Sequence, residues 1–105
     1  LHYTHFLEEI YMTAYWIGHV EVTDVDAYAE YAKLATAPIE AHGGKFLARG
    51  SRTVWLEGKE RARNVIVEFP TFEDAERCYQ SKAYGEALVF AKGASIRDLC
   101  IIEGS

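Results

Sequence analysis

The chain has 105 residues, half of them hydrophobic and 26% charged, with a net charge of −5 and a pI near 5.3. That suffices for one globular domain and not for two. The acidic balance and the scattering of the 11 Lys and Arg argue against a nucleic-acid partner, and no apolar stretch reaches the roughly 18 residues of a membrane-spanning helix.

The only methionine is Met12. Residues 1–12 read as an N-terminal extension, artificial or translated from an upstream start, ahead of one domain over 13–105. The extension lacks the basic start and long apolar core of a signal peptide. Cys78 and Cys100 are isolated within apolar patterns, which predicts free thiols and a cytoplasmic protein.

Thr13 to Val22 is rich in β-branched and aromatic residues and predicts a strand. Alternation sends Trp16, Gly18, Val20 and Val22 to one face, and Tyr15, Ile17, His19 and Glu21 to the other. Asp24 is placed to cap a helix running to about His42. Its buried stripe should contain Val25, Tyr28, Ala29, Ala32, Ala35 or Thr36, and Ile39, widened by Tyr31 and Leu34. Pro38 should kink it or split off a last turn, and Gly43-Gly44 should end it.

Lys45 to Gly58 reads as extended, with an irregularity at Gly50. A polar turn follows, then a strand over Asn64–Phe69. A hairpin turning near Lys59-Glu60-Arg61 would set Trp55 opposite Val65 and Arg52 opposite Glu68. Thr71 should cap the next helix, with Asp74 at the capping-box position, and Phe72, Ala75, Cys78 and Tyr79 should be buried. Ser81 restarts the helix, which runs to about Lys92. Gly93 ends it, and Ile96 to Glu103 is a last strand.

The order β-α-β-β-α-β predicts an α+β fold of ferredoxin-like layout, a four-stranded antiparallel sheet with two helices on one face. The other face would carry Tyr15, Ile17, Leu47, Ile66, Leu99 and Ile101. A second copy placing the same face against it would form an isologous homodimer with a closed, barrel-like core.

The stretch Ala37-Pro38-Ile39-Glu40-Ala41-His42-Gly43-Gly44-Lys45-Phe46-Leu47-Ala48-Arg49-Gly50 is the most distinctive in the chain. Together with Asp26-Ala27-Tyr28-Ala29-Glu30-Tyr31, Val67-Glu68-Phe69-Pro70 and Cys78-Tyr79-Gln80-Ser81-Lys82-Ala83-Tyr84, it resembles the small bacterial proteins of the domain of unknown function (DUF) 1330 family. The resemblance covers nearly the whole chain after the extension. It implies a dimeric α/β barrel, the architecture of antibiotic-biosynthesis-type monooxygenases and muconolactone isomerases, and implies no particular activity. The chain departs from that family's pattern at Lys82, where relatives often carry proline, and at Ala91, where they often carry arginine.

The candidate site residues are His19, Glu68, Arg49, Tyr31 and Arg52. On the barrel side His19 would move a proton and Glu68 would orient it. Arg49 would hold a carboxylate in two-pronged fashion, Tyr31 would line the cleft, and Arg52 would join the ligand contacts or pair with Glu68. Each has a structural alternative: an ion pair across strands, a satisfied interface histidine, core tyrosines. His42 suits a helix end. HExxH, paired CxxC, EF-hand, Walker, GxGxxG and GxSxG patterns do not occur, so neither metal nor cofactor is expected. Three functions fit: a cofactor-free enzyme acting on a small anionic or aromatic molecule, a non-catalytic small-ligand-binding or sensing dimer, and a structural or interaction protein with a filled core.

Overall fold

The computed structural model describes residues 12–50 and 52–105; the expected N-terminal extension lies outside them, apart from Met12. The elements are β1 (Ala14–Val22), α1 (Val25–Ala41), β2 (Lys45–Ala48), β3 (Arg63–Phe69), α2 (Phe72–Gln80), α3 (Lys82–Ala91) and β4 (Ser95–Glu103). The sheet has the order β2-β3-β1-β4 with every neighbour antiparallel. This is the ferredoxin-like α+β arrangement, with the second helical stretch divided in two.

Local chemistry sets the helix ends. The Asp24 carboxylate accepts from the Ala27 N–H at 3.2 Å, and the Thr71 hydroxyl accepts from the Asp74 N–H at 3.0 Å. Ser81 ends α2 and begins α3. Its hydroxyl donates to the Cys78 carbonyl at 2.7 Å and accepts from the Tyr84 N–H at 3.2 Å. Gly43 and Gly93 follow α1 and α3 with φ of 82° and 78°, the left-handed conformation that glycine adopts without strain. His42 closes α1, its Nδ1 2.8 Å from the Pro38 carbonyl.

The core lies between the helices and one sheet face. Trp16 fills its centre, with ring centroids 5.0 Å from Phe69 and 5.1 Å from Tyr84. The indole N–H donates to the Ala75 carbonyl at 3.1 Å, which ties β1 to α2 and satisfies a buried donor. Cys78 is fully buried, and burial pushes its thiol up to about 12.

Several expectations are corrected. The buried stripe of α1 is Tyr28, Tyr31, Ala35, Pro38 and Ile39, whereas Val25 and Leu34 are exposed. The helix continues through Pro38 to Ala41. Strand β2 ends at Ala48, with a bulge between Phe46 and Ala48 in place of an irregularity at Gly50. Glu68 therefore lies opposite Lys45 and not Arg52, and Trp55 is outside the sheet. Strand β4 is also turned over. Leu99 pairs with Gly18 and Ile101 with Trp16, so both face the helices, and Ile96, Asp98, Cys100 and Ile102 take the far face.

Two glycines separate tolerance from constraint. A Cβ at Gly44 would stand 2.7 Å from the Ile39 carbonyl oxygen and 2.9 Å from the Phe69 ring, whereas one at Gly85, inside α3, would meet nothing within 4 Å. Gly85→Ala should raise stability by about 0.5–1 kcal/mol. Gly44→Ala should lower it by about 1–3 kcal/mol. Urea midpoints at unchanged slope measure both.

Candidate functional site

A cavity of about 340 Å³ opens between α1 and the helix-facing side of the sheet. Small residues make the room: Gly18 on β1, and Ala32, Ala35 and Thr36 on α1. Its wall is mostly apolar, with Trp16, Val65, Val67 and Leu99 from the strands. Three arginines line it, Arg49, Arg63 and Arg97, and no carboxylate among the described residues does.

Arg97 is held from two helices. Its Nη2 donates to the Tyr31 hydroxyl of α1 and the Tyr84 hydroxyl of α3, each at 3.0 Å, and the two hydroxyls lie 2.6 Å apart. The guanidinium also stands 4.6 Å from the centre of the Tyr31 ring. No carboxylate among the described residues forms an ion pair with it, and its Nε is buried with no hydrogen-bond partner. Burial works against the charge, yet coupling to Tyr31 and Tyr84 outweighs it and keeps the guanidinium protonated. Burial, then the neighbouring Tyr84, raises the Tyr31 phenol well above the ordinary tyrosine value, against the opposing pull of Arg97. Tyr28 is raised as well, again chiefly by burial. At neutral pH the tyrosines are therefore neutral hydrogen-bonding groups and the arginine is a cation.

Arg49 and Arg63 are exposed at the mouth, each set over an aromatic ring: Arg49 is 3.9 Å from the centre of Phe46, Arg63 5.5 Å from that of Tyr28. Arg52 is exposed and does not line the cavity.

The sequence-based expectation placed a pocket on the barrel side beside His19 and Arg49, against a second copy; the cavity within the chain is on the helix side. Arg49 and Tyr31 border it; His19 and Glu68 do not. Nor are those two together, since His19 pairs with Asn64 and Glu68 with Tyr15, at separate places along the sheet. His19 Nδ1 lies 2.6 Å from the Asn64 Oδ1. Asn64 donates through its amide to the Arg61 carbonyl at 3.0 Å, which fixes its orientation and makes the histidine nitrogen the donor. Trp55 stands edge-on to the His19 ring with centroids 5.1 Å apart. Arg61 pairs with Glu21 and Asp98, each at 3.3 Å. Among the described residues no group of three or more His, Cys, Asp or Glu could hold a metal ion, and no helix is long and apolar enough to cross a membrane.

Arg97, Arg63 and Tyr84 were not among the sequence candidates. The signal for Arg97 was present: it alternates in phase with Leu99 and Ile101, and an arginine in phase with core residues needs partners.

The fold and this cavity define a ferredoxin-like α+β protein with a small-molecule-sized space between its helices and its sheet. The chain belongs to the family described as a domain of unknown function, DUF1330, which matches residues 13–105. No curated protein matches it in sequence. Among solved structures it is similar to a protein of unknown function from Rhodopseudomonas palustris, with 16% identity and a TM-score of 0.77 over 100% of this chain and 94% of that one. It is also similar to SnoaB, a cofactor-independent oxygenase from Streptomyces nogalater, with 11% identity and a TM-score of 0.62 over 90% and 94%. A dimeric ferredoxin-like protein of unknown function from Bacteroides fragilis matches at 10% identity and a TM-score of 0.60 over 88% and 96%. At these identities the likeness establishes the fold.

The Tyr31 phenol gives an alkaline signature. Its folded pKa lies above the unfolded value of 10.0, so its contribution to stability is complete below that pH and is lost as pH rises past it. Tyr31→Phe should make the alkaline fall in stability shallower, as read by urea unfolding across that range.

Proposed function

We propose that the cavity between α1 and the sheet binds a small, largely apolar or aromatic anion, and that the protein is a cofactor-free enzyme acting on it. One observation carries this reading: among the described residues three arginines and no carboxylate surround a mostly apolar cavity in a protein whose net charge is −5. A ligand site of this form, apolar with a few convergent polar groups, is the common one for small molecules. Among the described residues the lining supplies cations, phenol and threonine hydroxyls and an amide, and neither histidine nor carboxylate. The substrate must therefore arrive as an anion or ionise under the influence of the arginines, which stabilise negative charge on oxygen. The likeness to a cofactor-independent oxygenase is compatible with oxygen chemistry on such an anion. Arg49 and Tyr31 serve as ligand contacts beside Arg97. The open cavity argues against a purely structural protein with a filled core.

The second reading, a binding or sensing module, uses the same cavity without turnover. In either case the working unit is a homodimer. The far sheet face carries Leu47, Ile96 and Ile102, each close to half exposed, beside Tyr15, Ile17 and Ile66, and one neighbour of this fold is dimeric. Ile17→Lys should convert a dimer seen by sedimentation into a monomer; a wild-type monomer would refute the assembly.

A thermal-shift screen of aromatic acids tests the ligand. An acid at a hundred times its Kd should stabilise the protein by about 2.7 kcal/mol, and Arg97→Met should remove most of the shift. Consumption of the bound acid in air would identify the enzyme; stabilisation without consumption would identify the sensing module. The absence of any anion-dependent shift would refute the site.

A further inference from the structure

We infer that Tyr31 and Arg97 form a donor-only receptor for one oxygen anion of the ligand, and that Tyr84 donates to the Tyr31 oxygen and so leaves the Tyr31 hydroxyl proton free for the cavity. This rests on the cavity being a ligand site and names the chemistry that the site reads.

The inference follows from counting hydrogens. Arg97 Nη2 donates to both phenol oxygens. The hydroxyls are 2.6 Å apart, so one donates to the other and one proton is left over. Tyr84 is fully buried, does not line the cavity, and has no hydroxyl partner among the described residues other than Tyr31 and Arg97. If Tyr31 donated to Tyr84, the Tyr84 proton would be buried without an acceptor, which folded proteins avoid. Tyr84 must therefore donate to Tyr31. The Tyr31 oxygen then accepts twice, from Tyr84 and Arg97, and its own proton is free. Tyr31 borders the cavity, so that proton has somewhere to go.

Arg97 has a second terminal nitrogen, Nη1, with no hydrogen bond among the described residues, and arginine cannot accept. Tyr31 and Arg97 thus offer an O–H and an N–H donor next to a fixed positive charge, and neither side chain has a free acceptor. A carboxylate, phenolate or enolate oxygen satisfies both donors. A ligand amine or guanidine meets repulsion, and a neutral amide gains only part of the interaction. Arg49 and Arg63, exposed at the mouth, add charge attraction that is open to solvent and screened by salt.

The test compares 2-naphthoate, 2-naphthamide and 2-naphthylmethylamine, which share one apolar body, by calorimetry on the wild-type protein and on Tyr31→Phe and Tyr84→Phe. The expected result is that the acid binds at least tenfold more tightly than the amide and that the amine does not bind. Tyr31→Phe should weaken the acid by about tenfold or more, the range for a hydrogen bond to a charged group. Tyr84→Phe should weaken it by less than about threefold, because the Tyr31 proton stays free. An amine bound as tightly as the acid would overturn the donor-only assignment while leaving the cavity as a ligand site. So would a Tyr84→Phe loss equal to that of Tyr31→Phe. Failure of all three probes to bind the wild-type protein would overturn the cavity reading and this inference with it. The probe comparison uses unaltered protein, so it decides the matter even where a variant fails to fold.

Discussion

The constraint on which the site depends is the presence of a guanidinium on the helix-facing side of the last strand. Arg97 shares that side with Leu99 and Ile101, both packed on the core. Arg97 is half-buried, and a charge drawn out of water opposes folding unless hydrogen bonds satisfy it. Here the partners are phenols and not a carboxylate. The consequence is both structural and chemical. Tyr31 from α1 and Tyr84 from α3 converge on one nitrogen of β4, which joins three elements at a point. Because phenols leave the charge unneutralised, the cation remains available to something else.

Much of the fold was legible because its signals are local. Side-chain alternation sorted the faces of β1 and β3, and Asp24, Thr71 and Ser81 marked helix starts by the hydrogen bonds that they make. The far face of β4 was not legible. Its residues alternate apolar on both sides (Ile96 and Cys100 on one, Leu99 and Ile101 on the other), so composition cannot choose the phase and only pairing with β1 decides it. Arg97 alternates in phase with Leu99 and Ile101 and so belongs to the core-facing set once that phase is known. The extended stretch after Lys45 misled for a related reason. Residues such as Thr53, Val54 and Trp55 have strand-forming chemistry, yet the bulge after Phe46 ends the ladder at Ala48 and leaves them outside it. Of the candidate residues, Tyr31 and Arg49 border the cavity because helix period and the distinctive stretch after Pro38 place them there; His19 and Glu68 look away from it, as strand alternation required.

The segment between β2 and β3 connects the two sides of the sheet. At one end Arg49 and Gly50 edge the cavity, and at the other Ala62 and Arg63 return to it. Between them Trp55 reaches the His19 ring and Arg61 reaches Glu21 and Asp98 on the far face. Trp55 Nε1 and Arg61 Nε are buried there without partners. The same stretch of chain therefore touches the far face and borders the cavity mouth. Asn64 belongs to both, since it lines the cavity and accepts from His19.

The cavity itself is evidence of purpose, because a small domain has strong reason to close it. Short chains bury a smaller share of their surface than long ones, and each methylene added to the interior is worth about 0.8 kcal/mol against a typical total of only 5–15 kcal/mol. The residues that leave it open are small ones. A Cβ at Gly18 would meet Val65 at 3.1 Å and Leu99 at 3.2 Å, so the sheet floor is closely walled along its sides. On the facing helix the cavity is lined by the small side chains of Ala32, Ala35 and Thr36. Helix formation does not require that choice, since leucine is nearly as good a helix former as alanine. Interior stability would favour the larger residue. A wall of small side chains, with an unneutralised arginine at its inner end, gives up packing energy that a scaffold would use, and what it gains in return is room beside a positive charge.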